Sequence, residues 1–188
     1  MKVAIIGAGN MGGSIACGLA KGKLIPASDI IEFPSIAITR NNAEAATGAD
    51  IVILAVKPWL IRGVLREMKL RSKQILVSVA AGISFEQLAH DVVEPEMPMF
   101  RIVPNTAISE LQSMTLIASR NAGQELEALM VNLFSEMGMA MILPEDKLEA
   151  ATALTSCGIA YVLKYIQAAM QAGIEMGIRP SDAMDMIC

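Results

Sequence analysis

The sequence begins with a short apolar run, Val3-Ala4-Ile5-Ile6, that passes directly into Gly7-Ala8-Gly9-Asn10-Met11-Gly12 and then into the apolar-periodic stretch from Met11 to Leu19. A strand that ends in three glycines at this spacing and opens a helix leaves few alternatives. The first glycine permits a tight turn, the second lets the backbone approach a bulky anion, and the third lets helix and strand pack closely. Unpaired N–H groups at the start of the helix, together with its macrodipole, favour negative charge there. The expected ligand of this loop is the diphosphate of a dinucleotide.

The remainder of the chain alternates. Strands are expected at Ile30 to Phe33, Ile36 to Thr39, Ile51 to Val56, Ile75 to Val79, Arg101 to Val103 and Met114 to Ile117. Helices are expected at Ala43 to Ala49, Trp59 to Met68, Ser84 to His90 with Ser84 as N-cap, and Gln124 to Met137. Strands alternating with short helices predict an α/β fold, a Rossmann-type doubly wound parallel sheet covered on both faces. From Glu145 onward the strand signals cease, and Ala150 to Met176 reads as uninterrupted helix. The expected division is therefore a dinucleotide-binding domain over residues 1–144 and a short all-α segment over 145–188.

Charge and composition narrow the partners. A net charge of −4 argues against nucleic acid. Cys17, Cys157 and Cys188 are odd in number and widely spaced, which predicts reduced thiols in a cytoplasmic protein and no metal site. The N-terminal apolar run is too short for a signal peptide, and the uncharged stretch between Glu149 and Lys164 is too short for a membrane span. A mean hydropathy of +0.50 is high for a soluble domain and predicts apolar surface that meets a partner. Leu154, Ile159, Val162, Leu163, Ile166, Met170 and Ile174 lie on one long helix, so a homodimer through the C-terminal helices is expected.

Several blocks, taken in order, resemble the pyrroline-5-carboxylate reductases, which reduce a cyclic imine to proline. Gly7 to Gly12 is similar to the family's G-x-G-N-M-G loop, Asp50 to Pro58 to its strand with an A-V-K-P turn, and Ser78 to Ile83 to its S-x-x-A-G-I segment. Arg101-Ile102-Val103-Pro104-Asn105-Thr106 resembles R-x-M-P-N-T, and Thr152 to Tyr161 resembles T-A-L-S-G-S-G-P-A-Y.

The resemblance implies an NADPH- or NADH-dependent oxidoreductase whose substrate is a small cyclic imine, expected to be 1-pyrroline-5-carboxylate. It implies cofactor contacts from Gly7, Ala8, Gly9, Asn10, Met11 and Gly12, and from the backbones of Ala55, Val56, Lys57, Pro58, Ala80, Ala81 and Gly82. Lys57 also reads as a solvated strand-end cation. Asn42 reads either as a cofactor neighbour or as a helix N-cap. Asn105 reads as an orienting amide for nicotinamide or substrate, or as a turn former. Glu145 reads as a neighbour of the substrate ammonium, or as a carboxylate favoured by a helix N-terminus. Cys157 falls in the substrate block, where its alternative is a small packing residue. Arg101 reads as a structural cation and His90 as a surface residue. An acidic residue at the end of the second strand, Glu32, would accept from a ribose 2′-hydroxyl and favour NAD. The short gap from Phe33 to Ile36, where the family has a short helix, weakens an NADP preference unless Arg40 compensates in space.

An iminium ion already accepts hydride well, so no acid–base pair is expected and no catalytic residue is singled out. Departures cluster at the substrate end. Ser156, Cys157 and Ile159 stand where the family has glycine, serine and proline, and no S-P-G-G-T-T segment precedes Cys188. These departures predict either a shortened chain or a cofactor-binding relative without reductase activity. A third reading, a hydroxyacid dehydrogenase, requires a base on the long helix, where Lys164 is the candidate.

Overall fold

The computed structural model describes residues 1–23, 39–94 and 96–188. The strand expected at Ile30 to Phe33, with Glu32, lies outside the described residues, as does all of the one expected at Ile36 to Thr39 except Thr39. Two compact units are present, Met1–Leu148 and Glu149–Cys188.

The first unit is a six-stranded sheet in the order β1 (Val3–Ile6), β2 (Ile51–Leu54), β3 (Ile75–Ser78), β4 (Met99–Val103), β5 (Ser113–Arg120) and β6 (Gly138–Ile142). Its helices are α1 (Asn10–Lys21), α2 (Asn42–Ala46), α3 (Ile61–Met68), α4 (Phe85–Asp91) and α5 (Gln124–Ser135). Every residue of β2 and β3 is buried, as their continuous apolar runs require when both faces are covered. Ile51, Ile53, Ile75, Val77, Phe100, Ile102 and Ile117 form one core with Ile15 and Leu19 of α1 and Met130, Leu133 and Phe134 of α5. The pleat sends the intervening Val52, Leu54 and Leu76 to the opposite face, where they are equally buried. Each such side chain contributes about 1.5–3 kcal/mol relative to exposure. The α/β, Rossmann-type fold expected from the alternation is what the chain adopts.

The sheet departs from a wholly parallel one at a single step. β1 to β4 are parallel, but β4 and β5 pair antiparallel, and β6 then runs parallel to β5. The connection over residues 104–112 carries only the 3₁₀ turn Thr106–Glu110. It contains no crossover helix, so the chain returns beside itself in the opposite direction. β6 has no counterpart among the expected strands. Gly138 and Ala140 are weak strand formers, and Met139 and Met141 of this edge strand are exposed.

Other boundaries moved for local reasons. The helix expected from Trp59 begins with the 3₁₀ turn Pro58–Leu60, and α3 follows from Ile61. Ser84 caps α4 as expected, in a reciprocal capping box with Gln87. The N-cap of α2 is Asn41, whose side chain accepts from Ala43 N and Glu44 N; Asn42 is the first helical residue. The capping role read for Asn42 therefore belongs to its neighbour. Gln74, buried between α2 and β3, donates through Nε2 to Ala46 O and Ala49 O and accepts from Arg71 N, each at 2.9 Å.

The second unit is helical but not uninterrupted. α6 (Leu148–Thr152), which begins at the end of the first unit, gives way to a π-helical turn, Ala153–Cys157, before α7 (Gly158–Glu175) and α8 (Pro180–Ile187). Thr155 donates its hydroxyl back to Ala151 O at 3.1 Å within that turn, a side-chain bond that bends helices. α7 and α8 meet where Gly173 admits Ala183 and Ile178. Leu154, Tyr161, Val162, Leu163 and Tyr165 are exposed.

Candidate functional site

The carboxyl ends of the four parallel strands are level. Ile6 is opposite Leu54, Leu54 opposite Ser78, and Ser78 opposite Arg101. Ala55 N donates to Ile6 O at 2.8 Å and Val79 N to Leu54 O at 3.1 Å, extending the ladder one residue past the strands. Ligands of open α/β sheets bind beyond these strand ends, and the glycine loop, the Ala55 to Pro58 turn and the Val79 to Ser84 loop all emerge there.

Gly7 takes φ +107°, and a Cβ at that position would lie 2.6 Å from Ala55 O and 2.9 Å from Val56 Cγ1. A Cβ on Gly12 would lie 1.9 Å from Gly7 O and 3.1 Å from Ala55 Cβ. These two glycines draw the turn, the first coil of α1 and the tip of β2 into contact. Gly9 differs: a Cβ there meets nothing within 4 Å. Gly9 is also the N-cap of α1, no side chain caps the helix, and no acidic residue occupies its first turn. The space above Gly9, with uncapped N–H groups of Asn10, Met11 and Gly12 facing it, is a cradle of the kind a diphosphate fits.

Lys57 is exposed and precedes the 3₁₀ turn that Pro58 starts. Ala81 and Gly82 are exposed at the apex of the next loop, with Gly82 at φ +71°. Ala80 N donates to the hydroxyl of the buried Ser78 at 3.4 Å. The side chain of Asn42 donates to Glu67 Oε2 at 2.9 Å. Asn105 is the N-cap of the Thr106–Glu110 turn, with Oδ1 accepting from Ala107 N at 3.0 Å, which leaves the Nδ2 end of its amide for other partners. Arg40 is exposed ahead of α2.

Glu145 Oε1 accepts from Arg101 Nη1 at 2.7 Å and from Phe85 N at 2.8 Å. Arg101 thus has a partner, Glu145, that the sequence did not indicate. Cys157 is exposed at the end of the π-helical turn in the second unit. His90 is exposed beside Asp91, and Lys164 donates to Gln167. Among the described residues no group of three or more His, Cys, Asp or Glu is arranged to hold a metal ion, and no helix is long and apolar enough to cross a membrane.

Residues 2–82 match the family described as NADP oxidoreductase coenzyme F420-dependent, and residues 145–188 match that described as pyrroline-5-carboxylate reductase dimerisation. The chain is 33% identical over 208 residues to pyrroline-5-carboxylate reductase 1 of Dictyostelium discoideum, covering 97% of itself and 38% of that protein. It is 32% identical to pyrroline-5-carboxylate reductase 2 of the same organism, over 97% of itself and 71% of the relative. Among solved structures it superposes on the pyrroline carboxylate reductase of Plasmodium falciparum, crystallised with NADP bound, with TM-score 0.90 and 25% identity, over all of this chain and 74% of the other. The chain therefore spans between about two fifths and three quarters of the length of these relatives.

Proposed function

The chain belongs to the pyrroline-5-carboxylate reductase family, and from that premise we propose that it reduces a cyclic imine, 1-pyrroline-5-carboxylate, to L-proline with NADPH or NADH. The observation that carries the reading is the convergence of Gly7 and Gly12 on Ala55, with open space left above Gly9. The bound nicotinamide supplies a hydride from C4 to the imine carbon, which becomes Cδ of proline, while the ring nitrogen stays protonated as the product amine.

The residues around the crevice bind and orient. Gly7, Ala8 and Gly9 with the N–H groups of Asn10, Met11 and Gly12 hold the diphosphate, where the dipole of α1 offsets its charge. The backbones of Ala55, Val56, Lys57, Pro58, Ala80, Ala81 and Gly82 border the ribose and nicotinamide. Asn42 is a further cofactor neighbour. Asn105 offers its amide N–H₂ to the carboxamide or the substrate. Holding the imine carbon about 3–3.5 Å from C4 accounts for much of the rate, because the iminium ion needs no further activation.

Purified protein given 1-pyrroline-5-carboxylate is expected to oxidise NADPH or NADH, followed by the fall in absorbance of the reduced cofactor, with L-proline as product. Saturable cofactor binding with no turnover of this imine would overturn the reductase reading and favour a binding protein instead.

The C-terminal helices complete the proposal. Leu154, Tyr161, Val162, Leu163 and Tyr165 are all exposed, an apolar surface of the kind that soluble proteins cover by association. A homodimer formed through this face is consistent with the family match over residues 145–188. The proposed partner besides a second copy is the small-molecule imine, and the proposed location is the cytoplasm. Replacing Val162 and Leu163 together by glutamate is expected to convert a dimer to a monomer at micromolar concentration, read by sedimentation velocity. A monomeric wild-type protein would contradict this part of the account.

A further inference from the structure

The loop between β3 and α4 is tied at both ends and free in the middle. At its start, Ala80 N is bonded to the buried Ser78 hydroxyl. At its end, Phe85 N is bonded to Glu145 Oε1. Between them Ala81 and Gly82 are exposed, and a Cβ on Gly82 would meet nothing within 4 Å. The apex has no packing of its own, so its position is set by the anchors at its two ends, where Val79 N also bonds Leu54 O and the Ser84–Gln87 capping box adds to the Phe85 tie.

The second tie is built from distant parts of the chain. Ser84 caps α4 through the N–H of Gln87, so the N–H of Phe85, the first helical residue, needs another acceptor. Glu145 supplies it and is itself held by Arg101, which lies on β4 directly beside Ser78 in register. The Arg101 side chain is only 16% exposed and that of Glu145 35%, so the pair is better shielded from solvent than an ordinary surface ion pair.

We propose, resting on the reductase reading above, that Glu145 is a positioning residue: clamped by Arg101, it fixes the Val79 to Ser84 loop through Phe85 N–H and so sets the nicotinamide ring against the imine. This role differs from contact with the substrate ammonium, and the two diverge experimentally. In Glu145→Gln the side-chain oxygen still accepts from Phe85 N and Arg101, whereas Glu145→Ala removes the acceptor. A charge contact to substrate would be lost in both.

The test uses the full chain and two readouts. Amide hydrogen exchange reports on residues 79–85 without requiring turnover, and steady-state kinetics separate kcat from KM. Glu145→Gln is expected to keep the exchange of Phe85 within about twofold and kcat within about threefold of wild type, because the hydrogen bond survives. Glu145→Ala is expected to speed exchange at Phe85 at least about tenfold. It should also lower kcat at least about tenfold with cofactor KM within about threefold, the split that misplacement of the reacting atoms produces. Arg101→Met leaves Glu145 present but unclamped and is expected to show the same pattern at smaller size, which keeps the test intact if Glu145→Ala does not fold. Equal loss of kcat in Glu145→Gln and Glu145→Ala would overturn the proposal. So would unchanged exchange over residues 79–85 in Glu145→Ala and Arg101→Met, whether or not the wild type reduces the imine; absence of wild-type turnover by itself counts only against the reductase reading.

Discussion

Alanine at position 12 is expected to lower the melting temperature by about 6–12 °C, corresponding to about 3 kcal/mol for a chain of this size, and to abolish measurable binding of NADPH and NADH. The added Cβ would stand 1.9 Å from Gly7 O and 3.1 Å from Ala55 Cβ. Neither neighbour is the yielding end of a long side chain. Relief requires moving α1 away from the tip of β1, which spreads the N–H groups that face the diphosphate. Thermal denaturation followed by circular dichroism and a fluorescence titration with reduced cofactor read the two effects. A Gly12→Ala protein that melts within 2 °C or so of wild type would show that the close approach of helix and turn can relax cheaply.

Alanine at position 9 is expected to leave stability nearly unchanged and to do nearly the same to binding. Gly9 has φ −76° and ψ −171°, a conformation open to any residue, and its Cβ would meet no protein atom within 4 Å. Restricting the unfolded chain contributes about 0.4–1 kcal/mol, which the poorer fit of alanine at an N-cap offsets by a similar amount. The methyl group occupies the space where the diphosphate approaches the backbone, so cofactor affinity is expected to fall at least about thirtyfold, or about 2 kcal/mol. The contrast between the two glycines separates a packing role from a ligand-clearance role within one loop. Full cofactor affinity in Gly9→Ala would place the diphosphate elsewhere.

What could be read from sequence follows from how locally each feature is determined. The Gly7 to Gly12 loop is legible because turn, approach and packing each demand a glycine at a fixed position, and the structure finds those demands at Gly7 and Gly12. The runs Ile51–Leu54 and Ile75–Ser78 are legible because a strand buried on both faces must be apolar throughout. The Ser84 cap is legible because its partner, Gln87, lies three residues away.

The features that were not legible depend on distant parts of the chain or on a choice between neighbours. The reversal between β4 and β5 depends on the path of residues 104–112, and β6 pairs along the edge of β5 although Gly138 and Ala140 are weak strand formers. Asn41 and Asn42 are adjacent and equally able to cap; only the geometry at the start of α2 assigns the role to Asn41. The Arg101–Glu145 pair joins residues 44 apart in sequence and leaves no local pattern. The π-helical turn at Ala153–Cys157 falls where Thr155 and Ser156 interrupt an apolar helix, a signal too common to single it out.

The most direct test of hydride delivery at the strand tips is the fate of the label when the protein is incubated with 1-pyrroline-5-carboxylate and a reduced cofactor carrying deuterium at both C4 positions. The account predicts L-proline with one deuterium, located at Cδ, formed in step with cofactor oxidation. Cofactor oxidation without labelled proline, or no reaction with either NADPH or NADH, would contradict it.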